Sequence, residues 1–249
     1  MRDFEDSTLW RISAFEQMRQ QTGSSGFMRL SGPTLLPTTL LADLRRLDAD
    51  PSSSDAMEVI AACLRHREAA LVCVEVDGLV WPVTLFPQED LYHSPRNLLD
   101  APMSSLAKLR VVATEPPGVR PPGHWMYERI AQAEHYRSLP HMLWRLALHG
   151  PRNKLLADIA GPAMYRLVAS GRGERPQAPG ALGSAIERLQ LNSVSLNDIS
   201  RWPGMSPERA SRLLNGLYLS GCLMTTRTQA LPRDAAGAGR GLFAWRKSR

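Results

Sequence analysis

The amino-acid sequence predicts an α+β protein with two unequal domains. Three observations predict it: paired apolar runs around residues 71–86, amphipathic segments with helical spacing on either side of them, and a proline- and glycine-rich stretch at residues 171–180. With 249 residues, 43% of them hydrophobic and 22% charged, the chain can form two cores. We therefore divide it into residues 1–170, a linker at 171–180 and a C-terminal domain at 181–249.

The N-terminal domain is predicted to combine several helices with a small antiparallel sheet. Asp55 is placed to cap a helix through its carboxylate. The runs 71–76 and 79–86 flank Asp77-Gly78, a pair that suits a two-residue hairpin turn because it tolerates positive φ. Pro82 has no amide hydrogen, so its strand is expected at an edge or a bulge. Helices are predicted at residues 4–18, 39–47, 55–66, 126–136, 140–148 and 153–159, a third strand at 109–113, and either state at 164–168.

The formal charge of the chain is concentrated at one end. Residues 1–180 contain 20 Lys+Arg and 20 Asp+Glu, whereas residues 181–249 contain 10 and 4, so the net charge of +6 falls within the C-terminal domain. A neutral body with a basic end is typical of a module that binds a polyanion. Solubility alone would account for the charge equally well.

The C-terminal domain is predicted to contain three helices and a hairpin. Residues 181–191 have an apolar side at helical spacing. Ser195 and Asp198 have the spacing of a capping box that begins a short second helix, and Ser206-Pro207 suits the start of the third. Gly221 suits its end. The third helix has an apolar stripe of Ala210, Leu213, Leu214 and Leu217, and the hairpin strands are predicted at residues 223–228 and 241–246.

This order of elements resembles the winged helix-turn-helix superfamily over residues 181–249. In its DNA-binding members the third helix enters the major groove and the wing approaches the phosphate backbone. The resemblance therefore implies base contacts from the polar side of the third helix and phosphate contacts from the wing. The residues implied are Arg209, Ser211, Arg212 and Asn215 on the helix, and Arg233 and Arg240 in the wing. Winged helices also dock proteins, and a solvated arginine-rich face is a further alternative.

The sequence contains no recognisable motif for catalysis, a metal or a cofactor. Its three cysteines are scattered and are expected to be buried hydrophobes. Its six histidines form no His-Glu-x-x-His pair, and no Cys-x-x-Cys is present, so a zinc site has no support. No Gly-x-Ser-x-Gly elbow or phosphate-binding loop occurs. We therefore predict a protein that is not an enzyme and has no cofactor.

The sequence also predicts a cytoplasmic protein without a membrane partner. Its apolar runs are shorter than the roughly 18 residues that a spanning helix needs. The first six residues include acids where a secretory signal would carry positive charge. Arginine greatly outnumbers lysine, which is typical of a GC-rich bacterial genome.

These patterns support two functional hypotheses. The first is a bacterial transcriptional regulator in which residues 1–170 sense a ligand or partner and residues 181–249 bind double-stranded DNA, with a homodimer expected because two-fold DNA sites match two-fold proteins. The alternative is a signalling or assembly adaptor whose winged helix docks a protein. Residues 1–170 could bind a protein partner under either hypothesis.

Overall fold

The computed structural model describes residues 9–27, 35–49, 55–124, 133–168 and 178–227, and it confirms the α+β class. Short 3-10 turns cover Leu98–Asp100 and Ala133–His135. The helices are α1 (Ile12–Thr22), α2 (Thr38–Ala49), α3 (Ala56–His66), α4 (Met103–Leu106), α5 (Leu139–His149), α6 (Ala181–Leu191), α7 (Leu196–Ser200) and α8 (Pro207–Leu219). The strands are β1 (Trp10–Arg11), β2 (Ala70–Val76), β3 (Leu79–Phe86), β4 (Leu91–His93), β5 (Arg110–Glu115), β6 (Tyr136–Ser138), β7 (Ala163–Leu167), β8 (Val194–Ser195) and β9 (Leu223–Arg227).

The larger sheet is antiparallel and has the order β5-β2-β3-β4-β6, with β1 beside the first residues of β3. The predicted hairpin turn is confirmed, because Asp77 and Gly78 both have positive φ between β2 and β3. The position expected for Pro82 is wrong, since β3 is central. Hydrogen-bonded pairs alternate along an antiparallel ladder, and Pro82 falls at a pair that exchanges no hydrogen bonds with β2. Its nitrogen faces the gap between β1 and β4, where no donor is needed.

The larger sheet separates two hydrophobic cores, and the alternation of β2 supplies both. Val72, Val74 and Val76 belong to the main core, whereas Leu71 and Cys73 belong to the smaller core with α1. The main core is continuous from Leu36 to Cys222 and takes in residues of α2, α3, α5, α6, α7 and α8. The N-terminal and C-terminal parts of the chain are therefore joined by buried apolar contacts.

The smaller sheet crosses the predicted domain boundary. Its order is β8-β7-β9, and the central strand β7 precedes the predicted linker at 171–180. The ambiguous segment 164–168 is thus largely strand. β9 matches the first predicted hairpin strand, but its hydrogen-bonded neighbour in the described part of the chain is β7. The second predicted strand, 241–246, lies outside the described residues, as do most of the linker and residues 126–132 of the predicted helix 126–136. The rest of that helix prediction is wrong, because Ala133–His135 is a 3-10 turn and Tyr136 begins β6.

The local start signals of the C-terminal helices are confirmed. Ser195 accepts a hydrogen bond from the amide of Asp198 while the Asp198 carboxylate accepts from the Ser195 amide, which completes the capping box. The Ser206 hydroxyl accepts from the amide of Arg209, with Pro207 as the first residue of α8. Gly221 has a φ of 69° just beyond the helix. These contacts set where α7 and α8 begin and where α8 ends.

The predicted helix 153–159 is wrong, and the predicted helix 4–18 begins only at Ile12, because Trp10 and Arg11 pair with β3. Residues 153–159 form an irregular loop between α5 and β7. The amides of Leu156 and Ala157 donate to the side chains of Asn215 and Glu58, which replace the hydrogen bonds that a helix would supply. No helix in the described residues has both the length and the apolarity to cross a membrane.

Candidate nucleic-acid interface

Helix α8 is buried on the side that the sequence analysis expects to be free. Its apolar stripe is fully buried, as predicted, and a second face packs on α5. Gly216 lies where the two helices are in close contact. A Cβ atom there would lie 2.6 Å from Cε3 of Trp144 and 3.3 Å from Cβ of Ala147. The two helices can approach this closely only because position 216 has no side chain.

Asn215 is wholly buried and binds the loop that follows α5. Its Oδ1 accepts a hydrogen bond of 2.9 Å from the amide of Leu156. Its Nδ2 donates one of 2.9 Å to the carbonyl of Lys154. An asparagine in a recognition helix reads adenine with the same two atoms. Here both atoms are bound to backbone groups of the same chain, and the amide of Leu156 is buried.

Arg212 binds the C-terminal end of α5. Its Nη1 donates to the carbonyls of Leu148 and Gly150 at 3.0 and 2.8 Å. The last carbonyls of a helix have no partner within that helix, and a cation there also complements the helix dipole. Arg212 is therefore a helix-capping residue that ties α8 to α5.

Of the other residues predicted to contact DNA, two lie in the described part of the chain and two do not. Ser211 is buried, and its hydroxyl donates to the carbonyl of Pro207 at 2.8 Å. Arg209 is exposed, and its Nη1 donates to the carbonyl of Gly204 at 2.7 Å. Arg233 and Arg240 lie outside the described residues. Base reading by Ser211, Arg212 and Asn215 stays a prediction that these contacts do not favour, because Ser211, Asn215 and Nη1 of Arg212 are hydrogen-bonded within the chain.

A buried ion pair that the sequence analysis missed holds the same loop from the other side. Glu58 of α3 is buried, and its Oε1 accepts from Nη2 of Arg152 at 2.6 Å and from the amide of Ala157 at 2.9 Å. Nη1 of Arg152 also binds Asp55 at 3.0 Å. Because each charge has several partners, the cost of its burial is offset. The loop thus links α3 to α8.

Most of the excess positive charge lies beyond α8. Residues 181–227 contain five arginines and three acids, whereas residues 228–249 contain five basic residues and one acid. Of the net +6, therefore, +2 belongs to the described helical part and +4 to the last 22 residues. The arginines near α8 also have contacts within the chain: the guanidinium of Arg188 lies 5.3 Å from the ring centroid of Trp202, and Arg227 donates to the carbonyl of Asp158.

The cysteines lie in apolar surroundings. All three are buried thiols. Burial raises the pKa of the Cys63 thiol to about 12 and raises that of Cys73 well above its usual value. Both are therefore protonated at neutral pH, which is unfavourable for a nucleophile or a metal ligand. The described residues contain no group of three or more His, Cys, Asp or Glu that could hold a metal ion.

Two histidines meet at the edge of the larger sheet, and one of them should make stability depend on pH. The rings of His93 and His135 lie 5.7 Å apart, and burial, with smaller contributions from His135 and Arg137, lowers the pKa of His93 to about 4. An unfolded histidine takes up its proton near pH 6.5. The contribution of neutral His93 to the free energy of unfolding should therefore be fully present above pH 6.5. It should decrease as the pH falls from 6.5 towards 4, because in that range the unfolded chain binds the proton and the folded chain does not.

Urea unfolding of wild type and His93→Gln between pH 7 and pH 4 measures this effect. The variant should lose less stability than wild type across that range. His141→Gln, at an exposed histidine, should follow the wild-type curve. If the free energy of unfolding fell equally with pH in wild type and His93→Gln, His93 would not be the group that causes the pH dependence.

Comparisons of this chain with protein-family models, with curated proteins and with solved structures gave no match. The resemblance to winged helix-turn-helix proteins therefore stays a prediction based on the order of elements.

Proposed function

We propose that the protein is a signalling or assembly adaptor in which the N-terminal part and the C-terminal helices act as one unit. The observation that carries the proposal is the burial of the second face of α8. A recognition helix must be free to enter a groove about 12 Å wide. Helix α8 instead contributes Arg212, Asn215 and Gly216 to contacts with α5 and its loop. Exposing this face would break the continuous core.

A DNA-binding regulator is the second candidate, and the charge distribution favours it. Residues 228–249 carry a net charge of +4. Phosphate contacts from such a segment would give affinity that falls steeply with salt and depends little on sequence. In this version DNA binding would rely on the basic C-terminal residues and not on base reading by α8.

A DNA-binding titration separates the recognition-helix model from this proposal. Arg209→Ala is the cleanest probe, since Arg209 is the predicted base-reading side chain that is exposed. We expect no stable complex with duplex DNA at physiological salt, and at low salt the same weak affinity for wild type and Arg209→Ala. Arg201→Ala, another exposed arginine, is the matched control. A complex at physiological salt that Arg209→Ala abolishes and Arg201→Ala preserves would overturn the adaptor proposal.

The contribution of the basic end needs its own variant. Charge reversal of Arg246, Lys247 and Arg249 should remove any binding seen at low salt if phosphate attraction causes it. Affinity purification from nuclease-treated extract then tests the adaptor directly: its partners should remain bound without nucleic acid. Loss of every partner on nuclease treatment would favour the regulator.

A further inference from the structure

A pocket of about 500 Å³ opens between the β2–β3 turn and the loop after β4. This volume lies within the range of small-molecule sites. Val76, Leu79 and Trp81 form an apolar wall, with Ala101 and Pro102 also lining the pocket. The pocket belongs to the larger sheet and is distinct from the contacts of α8, so ligand binding there is independent of the adaptor proposal.

Two buried hydrogen-bond donors near this pocket lack acceptors in the described part of the chain. Nε1 of Trp81 is one of them, in a side chain that lines the pocket and is only 8% exposed. Nε of Arg145 is the other, and Nη2 of the same residue donates to the carbonyl of Ala101 in the pocket lining at 3.1 Å. Buried donors are rarely left unpaired in native proteins, and of these two residues only Trp81 lines the pocket itself.

Two guanidinium groups also line the pocket. Nη1 of Arg137 donates to the carbonyls of Ser94 and His135, which fixes the position of the side chain. The guanidinium carbon of Arg96 lies 5.9 Å from the ring centroid of Trp81. A guanidinium group matches the geometry of a carboxylate or phosphate, and the indole ring beside it suits a flat apolar group.

The two acidic residues of the pocket are engaged by neighbours. Oδ2 of Asp77 accepts from the hydroxyl of Ser105 at 2.6 Å, and Oδ1 of Asp100 accepts from Nδ2 of Asn97 at 3.1 Å. A bound anion would be repelled by these carboxylates, which favours the side of Arg96, Arg137 and Trp81. We propose that this pocket binds a small organic anion, with a carboxylate or phosphate head near the arginines and a flat apolar body against Trp81.

Benzoate, phenyl phosphate and uncharged benzamide are the probes for this proposal. Isothermal titration calorimetry with the full chain should show binding of at least one anion, with a dissociation constant on the order of 1 mM for so small a ligand. The relative affinities of benzoate and phenyl phosphate identify the preferred head group. Benzamide should bind at least fivefold more weakly, because it lacks the negative charge.

Two variants place the binding in this pocket. Arg96→Gln, at an exposed position, and Trp81→Phe, which removes part of the aromatic wall, should each weaken anion binding at least fivefold. A melting curve of each variant without ligand checks that the variant is folded. Arg201→Gln should bind like wild type. The proposal would be overturned if neither anion bound wild type at a concentration ten times the expected dissociation constant. It would also be overturned if benzamide bound as tightly as the anions, or if the two variants bound the anions as tightly as wild type.

Discussion

Asn215→Ala is expected to lower the free energy of unfolding by about 3 kcal/mol, because it leaves the buried amide of Leu156 without a partner and creates a cavity. The carbonyl of Lys154 would lose its hydrogen bond from Asn215 but would keep the one from Nε of Arg152. Each unsatisfied buried group costs roughly 1–3 kcal/mol, and the vacated space adds to the loss. Urea unfolding followed by circular dichroism measures the change.

Arg209→Ala is the matched control on the same helix. Arg209 is exposed, so its replacement should change the free energy of unfolding by no more than about 0.5 kcal/mol. The recognition-helix hypothesis expects the opposite for Asn215, namely a soluble, stable variant that has lost only DNA affinity. An Asn215→Ala protein as stable as Arg209→Ala would mean that α8 is not docked on the loop.

Gly216→Ala should destabilise the protein by about 2 kcal/mol through overpacking. In an exposed helix the same change gains roughly 1 kcal/mol, because alanine has the higher helix propensity. The sign of the change in the free energy of unfolding therefore shows whether the close contact exists. The new methyl would lie 2.6 Å from Cε3 and 2.7 Å from Cζ3 of Trp144. Thermal and urea unfolding both measure it. A stabilised Gly216→Ala would show that α5 and α8 are not in close contact.

A double-mutant cycle with Trp144→Leu tests whether the cost arises at this pair. Trp144→Leu removes the ring that the new methyl would meet. The double variant should therefore be more stable than the sum of the two single changes predicts, by roughly 1 kcal/mol or more. Additive effects would place the origin of the destabilisation elsewhere on α8.

These two predictions concern the property that separates the functional hypotheses. If α8 is held by Asn215 and Gly216 as described, base reading by this helix would require unfolding part of the main core. A partner would then have to bind the outside of the assembled protein. Replacement of the exposed Arg209 tests DNA binding without disturbing that core.

Local signals in the sequence determined most of the elements. The hairpin at Asp77-Gly78, the capping box of Ser195 and Asp198, and the start of α8 at Ser206 depend on contacts within a few residues. Such contacts are encoded by neighbouring side chains, so pattern alone is enough to find them. Gly216 was also a usable signal, since glycine within a helix is costly unless something approaches closely.

Only the tertiary structure decided what covers the polar side of α8 and which strand lies beside β9. Hydrophobic periodicity identifies one buried face of a helix. It does not reveal a second buried face whose polar side chains bind backbone groups. Asn215 meets a loop about 60 residues away, and β7 pairs across the predicted linker with β9. Those partners are brought together by burial of a shared core, a property of the whole chain that no local spacing records.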